Sequence, residues 1–100
     1  IGETTRFDGA PNIATIAETY PGFEATTWLG FFAPAGTPRE IINRLNRELV
    51  AAMNDEEAKS KLRALALLVI GDSPEAFAQT VRTEHERWGK VIRTKGIRAD

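Results

Sequence analysis

Residues 28–41 read WLGFFAPAGTPREI, and this stretch joins an apolar run to the start of a helix. The run belongs to residues 23–33, which are rich in aromatic and β-branched side chains and become apolar on both faces, as in a strand covered on two sides. After the turn, Thr37 has the spacing of an N-cap, Pro38 that of a first helical residue, and Glu40 that of the acid completing a capping box. We therefore predict a buried strand followed by a self-capped helix.

The sequence after this stretch predicts three main helices and a second strand. Apolar residues recur at steps of three and four over residues 37–54, which predicts an amphipathic helix. Asp55 caps a second helix whose first turn is acidic. A third helix begins at Ser73, which is followed by proline, and ends at Gly96. Between the second and third helices, the short apolar run at residues 67–70 is interpreted as a strand.

Before this stretch the chain is mainly loop. Residues 1–14 show little periodicity, and Thr15 and Glu18 then have the spacing of a capping box. Pro21 ends that helix after about one turn.

The resulting fold class is α/β, with two short strands and three main helices. Two strands are too few for a self-sufficient sheet, so we expect the piece to belong to something larger or to pair with a copy of itself.

Composition narrows the function classes. The 100 residues carry 13 Lys and Arg against 14 Asp and Glu, a net charge of -1, so no basic field is available to hold a nucleic acid. The absence of cysteine removes disulfides and thiolate chemistry, and fits either the cytoplasm or the periplasm. No apolar run approaches the ~20 residues of a membrane span. Because the chain begins at Ile1 without an initiator methionine, we interpret it as a processed or truncated product.

The side chains that could carry chemistry do not form a catalytic set. His85 is the sole histidine and lies at the edge of an apolar helical stripe, which favours a boundary position over a metal ligand. The glycines of residues 30–36 lack the lysine and spacing of a phosphate loop, and helix capping explains them better. We predict that the chain is not an enzyme and uses no metal or other cofactor.

The aromatic residues of the apolar run have two possible roles. Trp28, Phe31 and Phe32 could stack on a ligand, but such a stripe in a buried strand more often belongs to the core. Thr26 and Thr27 lie where that strand is still polar, so they are the better candidates to contact a small polar ligand.

Several motifs occur in the order and spacing found in one known family. They are Thr15-Ile16-Ala17-Glu18, Tyr20-Pro21-Gly22-Phe23-Glu24, residues 28–38, residues 45–49, and a tail that runs from residues 73–77 through residues 87–92 to Gly96-Ile97. With these motifs the chain closely resembles the C-terminal third of the Bug family, the periplasmic solute-binding receptors of tripartite tricarboxylate transporters. One departure is Ala14, which stands where that family usually has proline.

The resemblance implies a function that composition does not show. Members of such a family bind a small organic solute, commonly a carboxylate, in a two-lobed α/β clamshell of the periplasmic binding protein type II kind. They deliver the solute to membrane permease subunits and are not enzymes. The resemblance therefore implies a periplasmic location, a small solute and a permease as partners, and no nucleic acid.

The resemblance also assigns the segments of the chain. It implies that residues 1–22 are a loop and helical turn from the second lobe or linker, and that residues 23–100 form the C-terminal α/β segment that completes the first lobe. The run from Thr27 to Pro34 resembles the crossover between lobes, which makes Thr27 and Trp28 the candidate ligand-binding residues at the pocket edge. An alternative remains, namely a stand-alone α/β interaction module that self-associates and binds no ligand.

Overall fold

The computed structural model describes residues 1–98 of the chain. Its regular elements are a short 3₁₀ helix at Ile16–Glu18, α1 at Arg39–Asn54, α2 at Glu56–Ala64 and α3 at Pro74–Lys95. The chain divides into two units, Ile1–Ala33 and a second unit that begins at Pro34. The three predicted helices are present and all lie in the second unit.

The predicted α/β fold class is wrong, because no strand forms anywhere in residues 1–98. Residues 23–33 and 67–70 have a backbone that is neither helical nor paired in a sheet. A strand needs a neighbouring strand that pairs with its N–H and C=O groups. The apolar pattern of one segment does not show whether such a neighbour is present. Instead, Ala25 donates its N–H to the carbonyl of Gly2 at 2.9 Å, which is a contact with a loop.

The expected burial of residues 23–33 is wrong for the same reason. Leu29, Phe31 and Phe32 keep 78%, 68% and 71% of their surface exposed. Among the described residues no hydrophobic side chain is fully buried, so the helices shield apolar surface only in part.

The last two residues of the predicted segment 23–100, Ala99 and Asp100, lie outside the described residues. The boundary between residues 22 and 23 was drawn for the lobes of a larger receptor and stays a prediction.

The start of α1 differs from the predicted capping box. Thr37 does not cap the helix, because its hydroxyl donates to the carbonyl of Pro34 at 2.8 Å and so closes the preceding turn. Pro38 takes the N-cap position, and its carbonyl accepts the N–H groups of Ile41 and Ile42. Proline suits this place because it has no N–H that the turn or the helix must satisfy.

The N-caps of α2 and α3 are confirmed. Asp55 Oδ1 accepts the N–H groups of Glu57 and Ala58 at 3.1 and 3.3 Å. Ser73 Oγ accepts the N–H of Ala76 at 3.2 Å, and proline follows it as the first residue of α3. These bonds satisfy donors that would otherwise have no partner within the helix.

Both helices end in a left-handed residue. Gly96 closes α3 with a φ of 63°, as predicted, and the N–H of Ile97 reaches back to the carbonyl of Ile92. At the end of α2 the left-handed residue is Ala66, with a φ of 58°, where glycine would be favoured. The N–H of Leu67 donates to the carbonyl of Leu62. Leu67, the first residue of the predicted second strand, therefore takes part in the C-terminal cap of α2.

Side chains of α1 connect it to the rest of the second unit, where it packs on α2 and α3. Asn46 on α1 donates its side-chain amide to the carbonyl of Asp72 at 2.9 Å. Arg39, in the first turn of α1, pairs with Glu75 in the first turn of α3. These two contacts join the first half of α1 to the start of α3 and the residues just before it. Within residues 1–98 no helix is both long and apolar enough to cross a membrane.

Candidate functional site

Arg6 and Glu18 form a forked ion pair in the first unit. Arg6 Nε donates to Glu18 Oε1 at 2.7 Å and Nη2 donates to Oε2 at 2.6 Å, the bidentate geometry that guanidinium and carboxylate groups favour. Arg6 Nη1 also donates to the carbonyl of Pro11 at 3.0 Å. The sequence does not indicate this pair, because its partners lie 12 residues apart and no local pattern links them.

Glu18 also closes the predicted capping box with Thr15, which is confirmed. Its Oε1 accepts the N–H of Thr15 at 3.0 Å, and Thr15 is the buried polar residue of the described chain, with 3% of its surface exposed. Two hydrogen bonds lower the pKa of Glu18 to about 2. The bond from Arg6 has the larger effect, and the bond from the N–H of Thr15 has the smaller one. Glu18 is therefore ionised at neutral pH and holds the loop rather than exchanging a proton.

Gly2 brings the first residues of the unit close to the segment that follows the 3₁₀ helix. Its carbonyl accepts the N–H of Ala25, and a Cβ placed on Gly2 would lie 2.4 Å from the Ala25 carbonyl oxygen. The carbonyl of Ile1 accepts the N–H of Ile16 at 3.0 Å. Backbone hydrogen bonds and the Arg6–Glu18 ion pair thus help to hold residues 1–33, in which no hydrophobic side chain is fully buried.

The candidate ligand-binding residues Thr27 and Trp28 lie in the first unit, after the residues that Gly2 contacts. Thr27 is exposed and Trp28 is half-buried. The neighbouring Thr26 is half-buried, and its hydroxyl donates to Glu24 Oε1 at 3.5 Å. Of the two threonines, Thr27 is therefore the one at the surface. Its role as a pocket-edge residue, and that of Trp28, stays a prediction.

The second unit contains an open groove of about 410 Å³ between α1 and the segment leading into α3. Asn46, Arg47 and Val50 line its α1 side, and Asp72 and Ser73 line the other. The Asn46 amide and the Ser73 hydroxyl already take part in the interhelical bond and the α3 cap. Arg47 and Asp72 supply one charged residue of each sign to the lining of this groove.

His85 lies exposed on α3, outside this groove. Within the described residues no three His, Cys, Asp or Glu side chains come together in a way that could hold a metal ion.

Comparison with known proteins assigns the chain to a family of transporter receptors. The model of the tripartite tricarboxylate transporter family receptor matches residues 2–97, nearly the whole length. The chain therefore belongs to the tripartite tricarboxylate transporter receptor family.

Curated relatives agree with this assignment. The chain is 43% identical over 84 residues to the UPF0065 protein in the tcbD-tcbE intergenic region of Pseudomonas sp. strain P51, a match covering 82% of this chain and 25% of the relative. It is 31% identical over 84 residues to the UPF0065 protein in the clcB-clcD intergenic region of Pseudomonas knackmussii, covering 84% of this chain and 49% of the relative. It is 28% identical over 95 residues to Protein BugT of Bordetella pertussis, covering 95% of this chain and 28% of the relative.

These matches confirm the resemblance recognised from the sequence motifs. Membership in a family of receptors also agrees with the prediction that the chain is not an enzyme, and it does not favour a stand-alone interaction module. The chain spans between a quarter and a half of the length of these three relatives. No solved structure matches the chain significantly.

Proposed function

We propose that the chain is the C-terminal part of a periplasmic receptor that binds a small organic carboxylate and delivers it to the membrane permease of a tripartite tricarboxylate transporter. The observation that carries this proposal is the family match over residues 2–97. The carboxylate class follows from the solutes that the family's transporters are named for. The permease is the expected partner because a receptor outside the membrane must hand its solute to the subunits within it.

In this proposal the two predicted segments belong to different parts of the receptor. Residues 1–22 belong to the second lobe or the linker, and residues 23–100 complete the first lobe. The exposure of Leu29, Phe31 and Phe32 supports a part that folds together with a larger partner, because apolar side chains of this size are normally covered.

Thr27 and Trp28 lie at the edge of the proposed solute pocket. The exposed hydroxyl of Thr27 can donate a hydrogen bond to a carboxylate, and the indole of Trp28 can form an apolar wall beside it. Ligand pockets commonly combine a few placed polar groups with aromatic walls in this way. Thr26 does not compete for this role, because its hydroxyl is directed to Glu24.

A thermal-shift screen of the full-length receptor tests this function. The panel contains dicarboxylates, tricarboxylates, amino acids, aromatic acids and the neutral amides of each acid. We expect at least one carboxylate to raise the melting temperature at micromolar concentration, because a ligand that binds only the folded state stabilises it. If no member of the panel does so, the proposed function is rejected.

The Thr27→Val receptor tests the pocket-edge residue. Losing one hydrogen bond to a charged solute costs about 1.5 to 3 kcal/mol, so we expect affinity to fall at least tenfold. Thr26→Val is the matched control, since it makes the same chemical change one residue earlier, and we expect it to bind normally. Equal affinities for the two variants would remove Thr27 from the pocket.

A further inference from the structure

Two backbone hydrogen bonds connect the 3₁₀ helix to the segment that carries the candidate ligand-binding residues. The carbonyl of Ile1 accepts the N–H of Ile16, the first residue of that helix, at 3.0 Å. The carbonyl of the next residue, Gly2, accepts the N–H of Ala25 at 2.9 Å. Ala25 stands two residues before Thr27. Two consecutive carbonyl groups therefore link the backbone of the 3₁₀ helix to the backbone that leads into Thr27.

The bond at Gly2 leaves that backbone little room to shift. A Cβ on Gly2 would lie 2.4 Å from the carbonyl oxygen of Ala25 and 3.5 Å from its Cβ. Only a residue without a side chain brings the two segments this close. A movement of Gly2 would therefore move Ala25 as well.

The Arg6–Glu18 fork fixes the other end of this connection. Glu18 is the last residue of the 3₁₀ helix, and its Oε1 accepts the N–H of the N-cap residue Thr15 at 3.0 Å. Arg6 donates to both carboxylate oxygens of Glu18 and, through Nη1, to the carbonyl of Pro11. One guanidinium thus joins the end of the helix to the loop before it. Because two parallel N–H···O bonds define an orientation as well as a distance, the fork orients the helix.

The guanidinium is engaged within the chain, which argues against a direct contact with the solute. Arginine is a favoured partner of carboxylates, but Nε and Nη2 of Arg6 bond to Glu18 and Nη1 bonds to Pro11. The fork also adds little to stability, because its side chains are 46% and 42% exposed and water screens such pairs. What the fork supplies is geometry.

We propose that the Arg6–Glu18 fork positions residues 27–28 at the edge of the solute pocket. The proposal rests on the proposed function, which assigns Thr27 and Trp28 to that edge. The side chains of the fork do not touch the solute, and they act through the 3₁₀ helix and the two backbone bonds. Affinity for the solute should therefore depend on the fork more strongly than stability does.

Hydrogen exchange in the solute-free, full-length receptor tests the positioning directly. Glu18→Gln removes the carboxylate of the fork but keeps a side chain that can complete the capping box with Thr15. We expect the amide of Ala25 to exchange about tenfold faster than in the wild type, because its bond to Gly2 opens more often. Glu3→Gln removes another exposed carboxylate of the same unit and should leave that rate unchanged. An unchanged rate in the Glu18→Gln receptor would overturn the proposal.

A variant in the second unit separates positioning from a general loss of stability. Asp55→Ala removes the N-cap of α2 and should cost more stability than Glu18→Gln. It should nevertheless leave the exchange rate of the Ala25 amide and the solute affinity unchanged. If Asp55→Ala accelerates exchange at Ala25 as much as Glu18→Gln does, the effect is one of overall stability and the proposal is overturned.

Solute affinity is the second readout, with Arg6→Lys as the second variant. Lysine keeps the charge but cannot donate two parallel bonds, so it breaks the fork from the other side. The receptors are titrated with the carboxylate that gives the largest shift in the thermal screen. We expect Glu18→Gln and Arg6→Lys each to bind it about threefold or more weakly, and the double variant to lose no more than either single. Normal affinity in both single variants, or losses that add in the double variant, would overturn the proposal.

The two readouts distinguish this proposal from the proposed function. Faster exchange in a receptor whose wild type binds no carboxylate would reject the function and keep the fork as the pair that positions residues 27–28. Solute binding with unchanged exchange would keep the function and overturn the role of the fork. If Glu18→Gln does not fold, Arg6→Lys takes its place in both readouts, with the same expected results.

Discussion

The two units of the chain are stabilised in different ways. Ile1–Ala33 is held by contacts between residues distant in sequence, namely the Arg6–Glu18 fork and the backbone bond between Gly2 and Ala25. The unit that begins at Pro34 is built from helices whose ends are capped by nearby residues such as Asp55. The first unit therefore depends mainly on a few contacts between distant residues, whereas the second adds two such contacts, Asn46 with Asp72 and Arg39 with Glu75, to its local helix caps.

The same substitution should have opposite effects in the two units, and this is the largest difference we expect. Gly2→Ala places a Cβ 2.4 Å from the backbone oxygen of Ala25, so it should destabilise the receptor by about 1 to 3 kcal/mol. Gly89→Ala lies within α3, and its Cβ meets only the flexible end of Arg93, so it should stabilise by up to about 1 kcal/mol. Urea unfolding of both receptors measures the pair. A Gly2→Ala receptor as stable as wild type would contradict the close contact.

Removing a cap should affect the second unit by a smaller amount. Asp55→Ala leaves the N–H groups of Glu57 and Ala58 without their acceptor, which should cost about 1 kcal/mol. Asp55→Asn keeps a side-chain oxygen in the same place and serves as the control. Urea unfolding should rank the receptors as wild type, Asn variant and Ala variant. Equal losses for both variants would mean that the charge matters rather than the cap.

The left-handed residue at the end of α2 gives a prediction of the opposite sign. Ala66 holds a φ of 58°, which costs a residue with a Cβ more than it costs glycine. Ala66→Gly should therefore stabilise by a fraction of a kcal/mol up to about 1 kcal/mol. Ala64→Gly, two residues earlier at the last residue of α2, should instead destabilise by up to about 1 kcal/mol. If both variants lose stability, Ala66 is not left-handed in solution.

The smallest effect we expect is the pH dependence of the Arg6–Glu18 pair, because both side chains are exposed to water that screens them. Folding lowers the pKa of Glu18 from 4.5 to about 2, so its contribution to stability is complete above the higher value. That contribution is lost as the pH falls towards the lower value. Glu18→Gln should therefore lower the melting temperature at pH 7 and narrow its change between pH 7 and pH 3.

Glu3→Gln removes another exposed carboxylate from the same unit and is the control for this pH series. It should keep the acid sensitivity of the wild type. A Glu18→Gln receptor with the same sensitivity would mean that the fork does not contribute.

The difference between the units also explains which structural predictions were confirmed. The caps at Asp55, Ser73 and Gly96 could be predicted because each depends on residues within a few positions of one another. The strands at 23–33 and 67–70 were wrong because pairing needs a partner that a local apolar pattern does not identify. Thr37 was assigned to the wrong bond because its hydroxyl had two acceptable uses, the turn behind it and the helix ahead.

The candidate site was predictable only in part. The family was recognisable from motifs spread along the chain, several of which stand at a turn or a helix start. The Arg6–Glu18 fork was not predictable, because loop geometry sets which cation reaches a given carboxylate. Thr27 and Trp28 were selected from the resemblance, and their roles stay predictions that single substitutions can test.

The central claim is that this chain belongs to a receptor for a small organic carboxylate. Calorimetric titration of the full-length receptor with the strongest carboxylate of the screen, beside its neutral amide, tests that claim most directly. We predict one-site binding of the acid at micromolar concentration or tighter and binding of the amide at least tenfold weaker, because the charge-assisted hydrogen bonds are lost. Equal affinities for acid and amide, or no heat of binding from either, would contradict it.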